Sequence, residues 1–230
     1  MNFNYFDHSF CEATIYGSAP EYINSVSSLF LSLFGLFGLF YNNKNNNINN
    51  IYSALIVNGI SSFMYHFNNQ IGWGLLDRFS MILIAIPCFN IATDMIILNK
   101  ITKEIIRLFI TIYLAVLMTY TGLHQEFVFN TLFGFYLVSL GVFILIIKKN
   151  NKYYCVPKRI INFALLGLLL IFLAAAFWII TEKLCNHYSF IKYTHGHAFW
   201  HFGVSYGGYL ISLVPYHYYQ NNNCKKIINI

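Results

Sequence analysis

Long apolar runs separated by short polar breaks run the length of this chain. Seven stand out, at about 23–41, 51–67, 75–98, 102–121, 126–147, 160–182 and 194–215. An α-helix needs about 20 mostly apolar residues to cross a bilayer, so the pattern predicts an all-α polytopic membrane protein, a seven-transmembrane helix bundle forming a single domain over 1–230. The fourth and fifth runs are divided only by Thr121-Gly122-Leu123-His124-Gln125-Glu126. Ser18-Ala19-Pro20-Glu21 reads as a capping box with proline in the first turn of the first helix. Pro87 predicts a kink in the third. Gly203 and Gly207 give the seventh a small-xxx-small face for close helix contact. The asparagine runs (Asn45 to Asn47 with Asn49 and Asn50; Asn221 to Asn223) read as low-complexity loop.

Composition supports the membrane reading. The 230 residues are 57% hydrophobic and only 10% charged, with 23 Phe and 18 Tyr. A soluble chain of this size needs more charge to cover its surface. The net charge of +6 does not indicate nucleic acid, because the basic residues cluster in short breaks between apolar runs. Lys44, Lys100, Lys103, Arg107, Lys148, Lys149, Lys152, Lys158, Arg159, Lys225 and Lys226 fall on one side of the expected bundle; Arg78, Lys183 and Lys192 fall on the other. The positive-inside rule places the first group in the cytosol, the N-terminus on the lumenal or extracellular side and the C-terminus in the cytosol. Tyr216, Tyr218 and Tyr219, after Pro215, suit the cytosolic interface belt. Asp7 and Glu12 interrupt the first 20 residues, which therefore do not read as a cleavable signal, and the first span is expected to direct insertion. The expected location is the endoplasmic reticulum or Golgi membrane.

Within that topology a few polar side chains come to one depth. The second span runs outward, so His66 lies at its lumenal end with Ser62 a turn deeper. The third starts on that side with Asp77, and the seventh with His197 and His201. Histidines four apart share a helix face, and ionisable groups inside a span are costly and usually functional. Three histidines and a water make a catalytic zinc site with an open position. Asp77 would either carry the water's proton or hold a histidine in place; Ser62 shares a face with His66 and would donate to an oxyanion. Read singly, Ser62 would bond its own helix and Asp77 would be an N-terminal helix acid. The histidines outside the set (His8, His124, His187 and His217) read as interfacial, and His195 lies on a different face from the pair.

These residues resemble the alkaline ceramidase family, within a wider group of seven-span hydrolases that includes adiponectin-receptor-like and GPI-remodelling proteins. The resemblance rests on Cys11-Glu12, Glu21-Tyr22-Ile23-Asn24-Ser25, Ser62-Phe63-Met64-Tyr65-His66 with Leu75-Leu76-Asp77-Arg78-Phe79-Ser80-Met81, and His197-Ala198-Phe199-Trp200-His201. It implies zinc at His66, His197 and His201, catalysis by Asp77 and Ser62, and cleavage of ceramide to a sphingoid base and a fatty acid. It also implies a calcium site with Glu12 and Glu21 among its ligands. That pattern departs here at Ser9 and Thr14, where the family carries Asp and Asn, and Asp7 is the candidate to compensate. A solvated loop acid and a capping residue are the alternative roles of Glu12 and Glu21.

Cys11 and Cys185 both fall on the lumenal side, where disulfides persist. They are expected to pair, as the resemblance also suggests. Cys88 is expected to lie buried in the third span, and Cys155 and Cys224 to be free cytosolic thiols. The expected function is a zinc-dependent intramembrane amidohydrolase acting on a ceramide-like membrane lipid. The rivals are a lipid ester hydrolase of the same fold and a non-enzymatic seven-transmembrane lipid receptor with a structural zinc.

Overall fold

A computed structural model describes residues 10–16, 20–41, 46–96, 99–121, 126–150 and 156–220. Among them are seven long helices: α1 Tyr22–Tyr41, α2 Asn46–Asn68, α3 Ile71–Ile96, α4 Lys100–Thr121, α5 Glu126–Lys149, α6 Lys158–Leu184 and α7 Gly196–Gln220. A single helical turn, Ala13–Tyr16, precedes α1, and a 3-10 segment, Ser189–Thr194, leads into α7. No strand occurs among the described residues. Three helices are long and apolar enough to cross a membrane, at Tyr22–Tyr41, Ile71–Met95 and Lys158–Leu184.

Each expected run falls on one helix, and two boundaries differ in an informative way. The helix α2 begins at Asn46, so Asn46, Asn47, Asn49 and Asn50 form its first turns instead of a loop. Ile48 and Ile51 are buried on the same stretch, and their burial overrides the weak helix preference of asparagine. The helix α7 continues through Pro215 to Gln220. Val214, Pro215 and Tyr218 are buried there, so packing holds the helix past a residue that sequence alone treats as its end. Ser18, Lys44, Lys152, Lys225, Lys226, His8, His124, Cys155 and Cys224 lie outside the described residues.

The helices follow one another around a ring. The helix α1 packs on α2 and α7, α2 on α3, and α6 on α7 over long interfaces; α3–α4, α5–α6 and α4–α5 meet more sparingly among the described residues. The amphipathicity is inside-out. On α1 the buried residues are Asn24, Ser25, Ser27, Ser28, Leu31, Ser32, Gly35 and Gly38, while Val26, Leu29, Leu33 and Leu36 are exposed. Exposed Leu108, Phe109 and Ile112 on α4 and Leu166, Leu169 and Leu173 on α6 continue the apolar exterior. Water would penalise such a surface, and lipid does not. Small residues then bring backbones together. A Cβ on Gly207 would lie 2.6 Å from the Gly167 carbonyl oxygen, and one on Gly167 would lie 2.5 Å from that of Gly207, so α6 and α7 touch at a glycine pair. Gly203 faces Ala174 across the same seam. At one end of the bundle Asp94 is paired with Arg107 at 2.6 Å and Lys103 at 3.1 Å, tying α3 to α4, and it accepts a bond from the Tyr219 hydroxyl at 3.1 Å.

Candidate metal centre

The other end of α2 and the start of α7 bring three imidazoles together. Candidate ligand atoms of His66, His197 and His201 lie within 4.8 Å of one another, and all three residues are buried. Ring centroids are 4.8 Å apart for His66–His197, 5.3 Å for His66–His201 and 4.6 Å for His197–His201. The helical spacing of four residues places the α7 pair on one face, as expected. His195 is separate: it has φ 49°, in the left-handed region, at the residue before α7.

Neighbouring residues set which ring nitrogens point inward. His66 Nδ1 donates to Glu21 Oε2 at 2.6 Å. Ser27 Oγ lies 2.9 Å from His201 Nδ1 and 3.0 Å from the Asn24 carbonyl oxygen. With its single proton on that carbonyl, the Ser27 oxygen accepts from His201 Nδ1–H. Both rings therefore turn their Nε2 lone pairs toward the cluster, the tautomer a metal requires. Aromatic rings close the site: Phe10 lies 4.3 Å from His197 and 5.0 Å from His66, and Trp178 meets His197 edge-on at 4.9 Å.

Ser62 and Asp77 stand beside the triad. Asp77 Oδ1 accepts from Asn58 Nδ2 at 2.7 Å, and the Ser62 hydroxyl lies near the same carboxylate. Ser62 Oγ is 3.1 Å from Ser28 Oγ. The aspartate thus faces the bundle interior. Two carboxylates, of Glu21 and Asp77, flank three buried imidazoles, so a dication would balance their charge where water is excluded. Three imidazoles, two of them with braced outer nitrogens, form a donor set suited to zinc, and the residues present fit such an ion.

Glu12 and Glu21 have protein partners. Glu12, only 2% exposed, accepts from the backbone N–H groups of Ile23 at 2.7 Å and Asn24 at 2.8 Å. These are donors that the first turn of a helix leaves without partners. A solvated acid is therefore the wrong description of Glu12: it caps α1 from the preceding segment. Glu21 also accepts from Asn24 Nδ2 at 3.0 Å, and its backbone N–H reaches the His66 carbonyl at 2.9 Å. Among the described residues, only the histidine triad assembles as a group of three potential metal ligands; Asp7, Ser9 and their neighbours lie outside them.

Cys11 and Cys185 are free thiols here, so the expected disulfide is not formed in this structure. Both are buried in one cluster with Ile191, side by side. Cys11 N–H donates to Glu182 at 2.8 Å, anchoring the N-terminal segment to the end of α6. Cys88 is half-buried in α3.

Sequence reasoning quoted Asn24 within the family motif without giving it a role, and missed Ser27, Ser28 and Asn58. The available signal was polar residues at spacings of three and four inside apolar runs: Asn24, Ser27 and Ser28 on α1, and Asn58 four before Ser62 on α2. An apolar cavity runs from Asn58, Met81 and Phe133 to Ser212, Val214 and Pro215. A second lies among α3, α4 and α5 and shares Met81, Phe133 and Tyr136 with it. A family model described as Ceramidase matches residues 7–227. No curated protein matches the chain at a comparable level.

Proposed function

Because the chain belongs to the ceramidase family, we propose that it is a zinc-dependent intramembrane amidohydrolase that cleaves the N-acyl bond of ceramide-type lipids to a sphingoid base and a fatty acid. The observation that carries the reading is the convergence of His66, His197 and His201 beside Ser62 and Asp77. In this reading the chain spans the membrane seven times as one domain, its N-terminus lumenal or extracellular and its C-terminus cytosolic, in the endoplasmic reticulum or Golgi membrane.

His66, His197 and His201 would hold the ion, which when bound supplies Lewis acidity toward water and the amide carbonyl. Glu21 and Ser27 orient His66 and His201. Asp77 takes a proton from the attacking water as its oxygen adds to the amide carbon, and returns it to the nitrogen as the C–N bond breaks. The amine leaves neutral and the acyl group leaves as the acid. Ser62 donates to the carbonyl oxygen as it gains charge. The apolar cavity that begins at Asn58 offers a place for the two lipid chains. Calcium, in the same proposal, would draw on Glu12 and Glu21 and so brace the entry to α1 and the His66 ring together.

The test is purified protein assayed for bound metal and for fatty acid release from ceramide and from matched ester lipids. Stoichiometric zinc and release from ceramide are expected, with both lost in His197→Ala. Turnover of esters alone would move the function to an ester hydrolase. Zinc without turnover of any lipid would leave a receptor.

A further inference from the structure

Asn58 is buried, 4% exposed, at the junction of three features. It lies on α2 one turn before Ser62, it lines the first apolar cavity, and it is bonded to the start of α3. Its Nδ2 is 2.7 Å from Asp77 Oδ1, 2.9 Å from Ser80 Oγ and 3.1 Å from the Asp77 carbonyl oxygen. Ser80 Oγ donates to the Asp77 carbonyl at 2.7 Å, which leaves its lone pairs for Asn58. A carboxylate can only accept, so the amide must present nitrogen here and turn its oxygen away. An amide this deep in an apolar bundle is expensive to bury and is retained where it has partners.

We propose that Asn58 is the positioning residue for Asp77: its amide N–H fixes the rotamer and the free lone pairs of the carboxylate that shuttles the proton. This rests on the hydrolase reading above. The geometry supports it in two ways. Asn58 Nδ2 holds both the carboxylate and the carbonyl oxygen of Asp77, so losing Asn58 removes the anchor from α2 and lets the carboxylate swing. Asn58 is neutral and stands eight residues, roughly 12 Å, along α2 from His66, so its removal should leave the ligands of the ion in place. A fault in proton transfer appears in kcat, whereas a fault in lipid binding appears in KM.

The experiment compares full-length Asn58→Leu, close in volume but without the amide, with Asn58→Ser, which keeps a smaller donor. Each is assayed for zinc content, thermal stability and ceramide turnover per zinc-loaded molecule. For Asn58→Leu we expect kcat to fall about 10- to 100-fold, the range for a positioned general base, with KM within about threefold and zinc content equal to wild type. Asn58→Ser should recover part of kcat. The inference is overturned by wild-type kcat per zinc-loaded molecule in Asn58→Leu, by a change confined to KM, or by failure of both variants to fold, which would make Asn58 a strut between α2 and α3. An inactive wild-type protein would instead remove the hydrolase reading, so the two failures are told apart.

Discussion

Glu21 lies outside the triad, yet its contact with His66 predicts that it governs metal affinity. Its Oε2 is 2.6 Å from His66 Nδ1, and the two side chains are 6% and 2% exposed. A charged bond in such a place holds the ring's orientation and its tautomer. Loss of an outer partner of a metal-bound histidine weakens affinity about 10- to 100-fold, or about 1.4 to 2.7 kcal/mol. Glu21→Ala should show that loss. Glu21→Gln retains an acceptor for Nδ1–H without the charge and should lose less than about tenfold. Zinc affinity would be read by competition with a chromophoric chelator, with calcium held absent so that any effect through a calcium site drops out. Glu12→Gln is the control: it removes the charged cap from the Ile23 and Asn24 amides, and it should lower thermal stability by about 1 kcal/mol and leave zinc affinity near wild type. Unchanged affinity in Glu21→Ala, or equal losses in Glu21→Ala and Glu12→Gln, would refute the reasoning.

Two further predictions follow from the packing. Protein prepared without reductant should give a Cys11–Cys185 disulfide peptide by mass spectrometry, and Cys185→Ser should lose about 2 to 5 kcal/mol of stability relative to that oxidised form. In the reduced protein, burial and the adjacent Cys185 push the Cys11 thiol up, so alkylation should be slow at neutral pH and accelerate as pH rises, because only the thiolate reacts. At the α6–α7 seam, Gly207→Val drives a side chain against the Gly167 carbonyl and should cost about 1 to 3 kcal/mol or more, read as a lower melting temperature. Gly208→Ala, whose Cβ meets nothing within 4 Å, should melt as wild type does.

The helices and the triad were legible because each follows from spacing along one segment. Apolar runs of membrane length announce helices, and His197 with His201 needs only the helical repeat to share a face. His66 joined them through topology, since outward and inward runs alternate. The contacts that escaped notice depend on rotation of one helix against another. Asn58 reaches Asp77, Ser27 reaches His201 and Glu21 reaches His66 across interfaces that no periodicity describes. Glu12 shows the same limit: nothing local to Cys11-Glu12 reveals that its carboxylate caps a helix starting ten residues later. Asn46 to Asn50 misled in the opposite direction, because composition reads as loop where Ile48 and Ile51 anchor a helix.

The ring of helices divides its labour unevenly. The triad, its braces and the Ser62–Asp77 pair come from α1, α2, α3 and α7, which interlock tightly or are cross-bonded. The helices α4 and α5 supply none of them, touch their neighbours lightly, and wall the second cavity. Mutational drift can therefore remodel that flank, lengthening or reshaping the slot it encloses, while the histidine site is inherited intact.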